Sequence, residues 1–236
     1  MKKLNQVLEI KNLTKKYYNK VALEDVNLSF EKGKIYGLMG PNGSGKTTLM
    51  KVIIGLHKQT SGEVFINENP LSFKTKAFVS YMPTENFLYE SFKVKDVIKY
   101  YADMYSDFKS DTAMQILKDI NVDTEFRIAK LSSGLVGKLK VALALSRDTL
   151  IYMLDEPLNG VDILARDAII ELIVKAYSED KIIIVSSHLV NELEKILDSV
   201  VFIKNGSVEL FGDAEELRQE HGMSIENLYK EVYSEC

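Results

Sequence analysis

Cysteine is almost missing from this 236-residue chain, which holds only Cys236, its last residue. One thiol cannot build a disulfide framework or a cysteine-based zinc site within the chain. We interpret Cys236 as a solvated thiol in the C-terminal tail. Such sparing use of cysteine suits a reducing cytoplasm.

Long apolar runs are also missing. The N-terminal residues MKKLNQVLEIKNLTKKYY lack the apolar segment of a signal peptide, and no stretch approaches the ~20 apolar residues that span a bilayer. We therefore expect a chain that is soluble by itself. Any role at a membrane must then come through a partner.

A strong excess of basic charge is missing as well. The chain has 30 Lys and Arg against 34 Asp and Glu, a formal net charge of −4, with both signs spread along the sequence. A nucleic-acid binder held by a broad basic surface would be strongly basic. No nucleic-acid partner is therefore expected.

What the sequence does contain is a regular alternation of strand and helix patterns. Apolar residues make up 46 %, enough for a sizeable core in one large domain. The alternation predicts an α/β fold with a mainly parallel sheet. The predicted strands are 7–10, 34–39, 62–66, 77–82, 150–155, 181–187, 199–204 and 207–211. The predicted helices are about 46–55, 93–105, 109–120, 134–148, 163–177, 189–197 and 213–220.

Two regions depart from this alternation. Residues 85–147 hold several helical patterns and no convincing strand, so we interpret them as a helical sub-domain inserted into the core. The first thirty residues and the 62–82 region look antiparallel, which makes the sheet mixed. The predicted organisation is a core of about 1–84 and 148–212, a helical sub-domain of about 85–147 and a short helical tail of 213–236.

A glycine-rich segment, GPNGSGKTT, occupies residues 40–48 between an apolar strand and a helical pattern. It matches G-x-x-x-x-G-K-[ST] in the strand–loop–helix context that this phosphate-binding motif requires. Its glycines let backbone N–H groups curl toward phosphate oxygens, and the helix N-terminus adds positive potential. We expect Lys46 to reach the β- and γ-phosphates and the Thr47 hydroxyl to ligate Mg²⁺. The predicted nucleotide contacts are Gly40, Pro41, Asn42, Gly43, Ser44, Gly45, Lys46, Thr47 and Thr48.

Two carboxylates end the apolar segment IYMLDEP, residues 151–157. Such a pair is usually a solvated turn, but a phosphate loop about a hundred residues upstream favours a functional role, because parallel sheets bind ligands at this edge. Asp155 would hold Mg²⁺ through its water shell. Glu156 would orient or deprotonate the attacking water.

Histidine occurs three times in the chain. His188 closes the next apolar strand and should lie beside the Asp–Glu pair, where it would bond to a γ-phosphate or to the attacking water. His57 and His221 lack such a context, and we interpret both as structural or solvated.

Together these residues resemble the nucleotide-binding domain of the ATP-binding-cassette (ABC) ATPases over nearly the whole chain. The phosphate loop is similar to that family's Walker A motif, and the signature loop just before Walker B is specific to this class. The resemblance implies a P-loop NTPase (RecA-like) fold with a mixed-sheet core, an N-terminal antiparallel β sub-domain and an inserted helical sub-domain, with ATP and Mg²⁺ as ligands. The other similar segments are LSSGL (131–135, signature), LIYMLDE (150–156, Walker B), NGVD (159–162, D-loop) and SSH (186–188, H-loop).

The resemblance also implies contacts that the spacing alone does not. The family stacks an aromatic residue on adenine, and Tyr17 fits best with Tyr18 in reserve, although a tyrosine there equally suits sheet packing. Family cassettes pair head-to-tail, so Ser132 and Gly134 would contact the γ-phosphate held by the opposite chain. Asp162 would cap the following helix and order the neighbouring active site.

This chain departs from the family pattern at two places. The usual signature is Leu-Ser-Gly-Gly-Gln, and here Ser133 and Leu135 replace the first Gly and the Gln. If position 133 needed a positive φ, strain of about 1–2 kcal/mol would follow, and we expect a weakened but usable half-site. The family's Q-loop glutamine is replaced by Thr84, which would reach the metal only through water, or by Glu85 if the register slips by one.

Function follows from the resemblance as an expectation. The chain would be the energy-supplying subunit of an ABC transporter, held on the cytoplasmic face of the membrane by a separate membrane subunit and resembling bacterial efflux cassettes. An aromatic stretch, 86–108, would form the groove for that partner through Phe87, Tyr89 and Phe92, although internal packing explains it equally well. The cassette would pair either with an identical chain or with a different cassette. The alternatives are a soluble, assembly-type ABC ATPase and a weakly active cassette.

Overall fold

The structure is a computed structural model that describes residues 6–234. Cys236 and the first five residues lie outside the described residues, so the interpretation of that thiol stays a prediction. Between residues 6 and 234, no helix has both the length and the apolar character needed to cross a membrane.

Strands and helices alternate along the described chain. The strands are β1 (Gln6–Tyr17), β2 (Lys20–Glu31), β3 (Lys34–Met39), β4 (Ser61–Ile66), β5 (Asn69–Pro70), β6 (Val79–Met82), β7 (Ile151–Asp155), β8 (Ile182–Ser187), β9 (Ser199–Lys204) and β10 (Ser207–Asp213). The α-helices are α1 (Lys46–Ile53), α2 (Val94–Met104), α3 (Ser110–Asp119), α4 (Ser133–Leu145), α5 (Ile163–Lys175), α6 (Val190–Leu193), α7 (Ala214–His221) and α8 (Ile225–Tyr233). Short 3-10 turns occur at Lys74–Phe78, Ile128–Lys130 and Glu194–Ile196.

Two sheets form the core. The larger has the order β10-β9-β3-β8-β7-β6, with β10 antiparallel to β9 and the other neighbours parallel. The smaller sheet, β2-β1-β4-β5, is antiparallel throughout. The predicted mixed α/β fold with an antiparallel N-terminal part is therefore confirmed. The strands β3, β7 and β8 are covered on both faces, and their carboxyl ends meet at one edge of the sheet.

The helices α2, α3 and α4 enclose an apolar cluster of their own. Its buried members are Leu88, Val94, Val97, Ile98, Phe108, Ala113, Leu117, Val122, Ile128, Leu139, Ala142 and Leu143. Other residues of α4, Val141 and Leu145 among them, pack into the cluster beneath the large sheet. Because α4 contributes to both clusters, it is the main packed connection between the helical layer and the sheet.

The predicted elements differ from the observed ones at the chain's two ends. The predicted strand 7–10 is too short, and β2 was not recognised as a strand of its own. Register shifts interrupt the β1–β2 pairing, so its alternation of apolar and polar residues is broken. Helix α8 was predicted only as part of a tail, although it is amphipathic and begins after the capping residue Ser224.

Candidate functional site

The glycine-rich loop joins β3 to α1 and leaves no room for side chains at two of its glycines. A Cβ atom at Gly40 would lie 2.5 Å from the Ile203 carbonyl oxygen, and one at Gly45 would lie 2.9 Å from the Ala22 carbonyl oxygen. Gly45 also has a φ of +121°, and Gly43 one of +83°. These left-handed conformations require glycine and give the loop its curl.

A cavity of about 710 Å³ opens beside this loop. Six of the predicted contacts line it: Asn42, Gly43, Gly45, Lys46, Thr47 and Thr48. Tyr17, Thr84 and Glu156 line it as well, so the structure brings together predicted residues from four separate segments. Three loop residues do not line the cavity: Gly40 and Ser44 are buried, with Ser44 only 4 % exposed, and Pro41 is exposed.

Lys46 makes contacts within the loop and across the sheet. Its Nζ donates hydrogen bonds to the carbonyl oxygens of Gly40 at 2.6 Å and Pro41 at 3.3 Å. The same ammonium lies 3.3 Å from Glu156 Oε1, and both side chains are more than nine-tenths buried. Glu156 Oε1 accepts no hydrogen bond within the described chain, so this contact is a charge pair without hydrogen-bond geometry.

Glu156 sits in a strained backbone conformation, with a φ of +50°. Its N–H donates to the Ser186 hydroxyl at 2.9 Å, which holds the turn after β7 against the end of β8. Its Oε2 lies 2.9 Å from His188 Nδ1. Strain of this kind persists where the surroundings fix the residue, and it aims the carboxylate from the sheet edge into the cavity.

Asp155 is fully buried at the end of β7 and accepts from three hydroxyl groups. Thr47 Oγ1 at 3.2 Å and Ser186 Oγ at 2.6 Å donate to Oδ1, and the Tyr81 hydroxyl donates to Oδ2 at 3.2 Å. Burial, together with the charge of Asp155, raises the pKa of Tyr81, so that the phenol remains a donor. The carboxylate is thereby fixed beside the start of α1.

These oxygens fit a magnesium ion that completes its shell from a nucleotide. Residues 6–234 hold no group of three or more His, Cys, Asp or Glu side chains arranged to bind a metal alone. Mg²⁺ commonly uses one or two protein oxygens together with waters and substrate phosphates. The Thr47 hydroxyl and the Asp155 carboxylate provide such a pair at the base of the cavity.

Tyr17 lines the cavity and is bonded to His57. The Tyr17 hydroxyl is hydrogen-bonded to His57 Nδ1, and Lys15 Nζ lies 4.5 Å from the ring centroid. Burial, with Lys15 and Lys51 nearby, lowers the pKa of His57. Tyr18 is fully exposed at 104 % and does not line the cavity. No sequence pattern indicates the His57 contact, because forty positions separate the two residues.

The signature segment forms the N-terminus of α4. Ser132 is exposed and caps the helix, accepting from the Leu135 N–H at 3.3 Å. Ser133 is the first helical residue, so the strain considered for this position does not arise. A Cβ atom at Gly134 would lie 2.9 Å from Asp162 Oδ2 and 3.0 Å from the Ala165 side chain. Glycine at this position lets α4 approach α5 closely.

Asp162 caps α5, as predicted, by accepting from the Ala165 N–H at 3.0 Å. His188 is not part of the lining of the 710 Å³ cavity, but its Nδ1 lies 2.9 Å from Oε2 of Glu156, which is. His221 is exposed in the last turn of α7, as its interpretation as a solvated residue predicts.

Thr84 lies in the loop after β6. Its hydroxyl donates to the backbone carbonyl of Asp155 at 3.2 Å rather than toward the Asp155 carboxylate. Glu85 forms an ion pair with Lys51 at 3.0 Å. Lys140 contacts both residues through their backbone, and it is a site-adjacent residue that the sequence pattern did not reveal because it lies inside an apolar helix.

Known proteins are similar to this chain in sequence. A family model described as "ABC transporter" matches residues 23–159, which include the phosphate loop, the signature segment and the Asp–Glu pair. The lantibiotic transport ATP-binding protein SrtF of Streptococcus pyogenes is 32 % identical over 207 residues, spanning 86 % of this chain and 90 % of SrtF.

Solved structures agree with the family match. A structure described as the ATP-binding subunit of an ABC transporter has a TM-score of 0.86 and 28 % identity, with 96 % of this chain and 99 % of that one covered. A dimeric, post-hydrolysis ATP-binding cassette, MJ0796, bound to ADP and Pi, has a TM-score of 0.77 and 25 % identity, with 87 % of this chain and 98 % of that one covered. The chain therefore belongs to the ABC transporter family, as one of its ATP-binding and ATP-hydrolysing subunits.

Proposed function

We propose that this cassette closes head-to-tail with a second cassette over Mg-ATP and so drives a separate membrane subunit, as an exporter. The observation that carries the proposal is the convergence of Lys46, Asp155, Glu156 and His188 at the carboxyl edge of the sheet, around the glycine-rich loop. Each group suits one part of phosphoryl transfer to water.

Nucleotide binding would begin at the loop and at Tyr17. Backbone N–H groups of residues 40–48 and the N-terminus of α1 would hold the phosphates, with Lys46 neutralising their charge. The Tyr17 ring, fixed by His57, would stack on adenine. Magnesium bound by Thr47 and Asp155 would neutralise charge on the β- and γ-phosphate oxygens.

Hydrolysis would use Glu156 and His188. The Glu156 carboxylate would accept a hydrogen bond or a proton from the attacking water, which is general-base chemistry. His188 contacts the other carboxylate oxygen at 2.9 Å and so fixes the direction of Oε1. Lys46 would leave Glu156 for the γ-phosphate, because both anions compete for the same ammonium.

Dimer closure would use Ser132, Gly134 and Asp162. The exposed Ser132 hydroxyl and the first N–H groups of α4 form a helix N-terminus of the kind that binds anions, here the γ-phosphate of the opposite cassette. Asp162 packs beside Gly134, so the signature and the D-loop would meet the partner as one surface. Closure then depends on the γ-phosphate and weakens after hydrolysis.

The membrane subunit would dock on the helical layer, which would hold the cassette at the cytoplasmic face. A cavity of about 200 Å³ there is lined by aromatic side chains, including Phe87, Tyr89 and Phe92. Tyr89 is 61 % exposed, and its ring centroid lies 5.3 Å from that of Phe92. Exposed aromatic rings beside a groove suit an apolar helix of a partner.

Export is the finer part of the proposal. It is supported by the resemblance to bacterial efflux cassettes and by a relative whose name is that of a lantibiotic transport protein. Transport of a labelled substrate by the reconstituted complex, in vesicles that expose the cassette on the outside, would give the direction. Uptake into such vesicles supports export, and ATP-dependent loss supports import.

A weakly active cassette in a heterodimer is the second candidate. The observation favouring it is Thr84, whose hydroxyl is occupied by the Asp155 carbonyl and so is not free to position a metal or water. Its turnover would be low alone and would rise when a second cassette is added.

The test of the proposed function is ATP hydrolysis by the purified chain with and without Mg²⁺. Lys46→Ala should abolish turnover and weaken ATP binding, since it removes the ammonium group that lies within the phosphate loop. Unchanged turnover and binding in this variant would overturn the assignment of the phosphate loop. Co-purification with a multi-span membrane protein would separate a transporter subunit from a soluble clamp.

A further inference from the structure

A buried lysine joins the signature helix to the loop beside the nucleotide cavity. The Lys140 side chain is 7 % exposed and lies in the middle of α4, two turns after Ser132. Its Nζ donates to the Thr84 carbonyl oxygen at 2.9 Å and to the Glu85 carbonyl oxygen at 3.0 Å. The Phe87 ring centroid lies 5.6 Å from the same nitrogen.

A leucine at this position would pack without the free-energy cost of burying a charge, so packing alone does not explain Lys140. A buried ammonium must recover the hydration it loses, and here its direct hydrogen-bond partners are neutral carbonyl groups. Burial lowers the pKa of Lys140, while the charges of Glu85 and Asp155 oppose this shift. The two carbonyl groups lie on one short loop, so the arrangement fixes that loop to α4.

The loop is also attached to the nucleotide site. The Thr84 hydroxyl donates to the Asp155 carbonyl at 3.2 Å, and the Glu85 carboxylate pairs with Lys51 of α1 at 3.0 Å. Thr84 and Glu85 line the 710 Å³ cavity. A ligand that shifts either residue would therefore displace the two acceptors of Lys140.

A second cation, Arg147, follows the end of α4 and makes different contacts. Arg147 donates to the Val79 carbonyl at 3.0 Å, and both of its remaining bonds go to the Asp107 carboxylate, at 3.0 and 2.8 Å. Val79 begins β6, at the end of the strand away from the cavity. Arg147 thus attaches the helical layer to the end of β6 away from the cavity, with its charge paired to Asp107, whereas Lys140 attaches it to the loop that lines the cavity.

We propose that Lys140 is a positioning residue that transmits occupancy of the nucleotide cavity to the helical layer, by holding the backbone of Thr84 and Glu85 to α4. Thr84 cannot make this link through its own side chain, because that side chain is short and its hydroxyl is already bonded to the Asp155 carbonyl. The proposal rests on the proposed function, since it requires that ATP binds in this cavity.

The test measures movement of the helical layer directly. In a Cys236→Ser background, spin labels at Glu63→Cys on β4 and Lys118→Cys on α3, both exposed, report the distance between the core and the helical layer. Adding a non-hydrolysable ATP analogue should shift this distance in the otherwise unaltered protein. Lys140→Met should bind the analogue with an affinity within about twofold, yet lose at least half of the shift.

The matched control is Lys138→Met, the same substitution two positions earlier on α4, which should keep the full shift. An unchanged shift in Lys140→Met at equal occupancy would overturn the proposal, and so would a parent protein that binds the analogue without any shift. Failure of the parent to bind at all would instead overturn the proposed function.

Hydrogen exchange on the unaltered protein keeps the proposal testable if Lys140→Met does not fold. Saturation with the analogue should change the exchange of loop 83–87 and of the α4 amides near Lys140 together. A change confined to the loop would overturn the proposal.

Discussion

Lys46 Nζ lies 3.3 Å from Glu156 Oε1, so the cation of the phosphate loop is paired with the carboxylate at the end of β7. Both side chains are more than nine-tenths buried. The pair occupies the space beside the loop that a γ-phosphate would enter. Binding of ATP would therefore exchange one anionic partner of Lys46 for another.

Removing the charge of Glu156 should strengthen nucleotide binding. In Glu156→Gln, Lys46 no longer has a competing anion, so we expect a non-hydrolysable ATP analogue to bind about fivefold tighter, roughly 1 kcal/mol. Isothermal titration calorimetry measures this directly. Glu85→Gln is the control, since that carboxylate is 64 % exposed and pairs with Lys51, and its effect should be smaller. Equal affinities for Glu156→Gln and the parent would contradict the exchange of partners.

Tyr17 and His57 should act as one unit in nucleotide binding. Tyr17→Ala removes the ring, and His57→Ala removes the group that fixes it, so each should weaken ATP binding by several-fold. Because the residues are in contact, the double variant should lose less than the sum of the two single losses in binding free energy. Tyr18→Ala, at an exposed neighbour, should change nothing. Additive losses would argue against a shared role.

The Ser132 hydroxyl has two proposed tasks that a matched variant can separate. Ser132→Ala should destabilise the protein by about 1 kcal/mol through loss of the helix cap, and it should also weaken ATP-dependent dimerisation. Ser224→Ala removes the equivalent cap of α8 and should cost similar stability without affecting dimerisation. Thermal unfolding and sedimentation together give both quantities. Equal dimerisation of the two variants would contradict a contact between Ser132 and a γ-phosphate.

The aromatic groove should matter for the membrane partner alone. Tyr89→Ser should leave ATP hydrolysis by the isolated cassette unchanged, while reducing the amount of membrane subunit that co-purifies with it. Phe73→Ser is the control, because Phe73 is 87 % exposed and lies before the turn that leads to β6, outside the lining of the groove. The proposed docking surface would be wrong if the two variants retained equal amounts of partner.

Much of the site could be predicted from the sequence because its parts are local. The phosphate loop, the Asp155–Glu156 pair and His188 each follow a strongly apolar strand, and parallel strands bring their ends to one edge. The cap formed by Asp162 is likewise a short-range pattern. These features depend on neighbours within a few residues, which a sequence displays directly.

The contacts that were missed are long-range. His57 bonds to Tyr17 only because β1 and the segment after α1 meet in the fold, and Lys140 meets the Thr84 carbonyl across 56 positions. Neither has a periodic or motif signal. The strain considered for a positive φ at Ser133 does not arise, because Ser133 begins α4, and the exact start of a helix is among the least certain sequence predictions.

The most direct test of the account is the solution mass of Glu156→Gln with and without Mg-ATP. This variant should bind nucleotide and fail to hydrolyse it, so closed cassettes should accumulate. Without nucleotide we predict the 26.7 kDa of one chain, and with Mg-ATP we predict twice that mass. A protein that binds ATP yet stays at the mass of one chain would contradict head-to-tail pairing of this chain with itself.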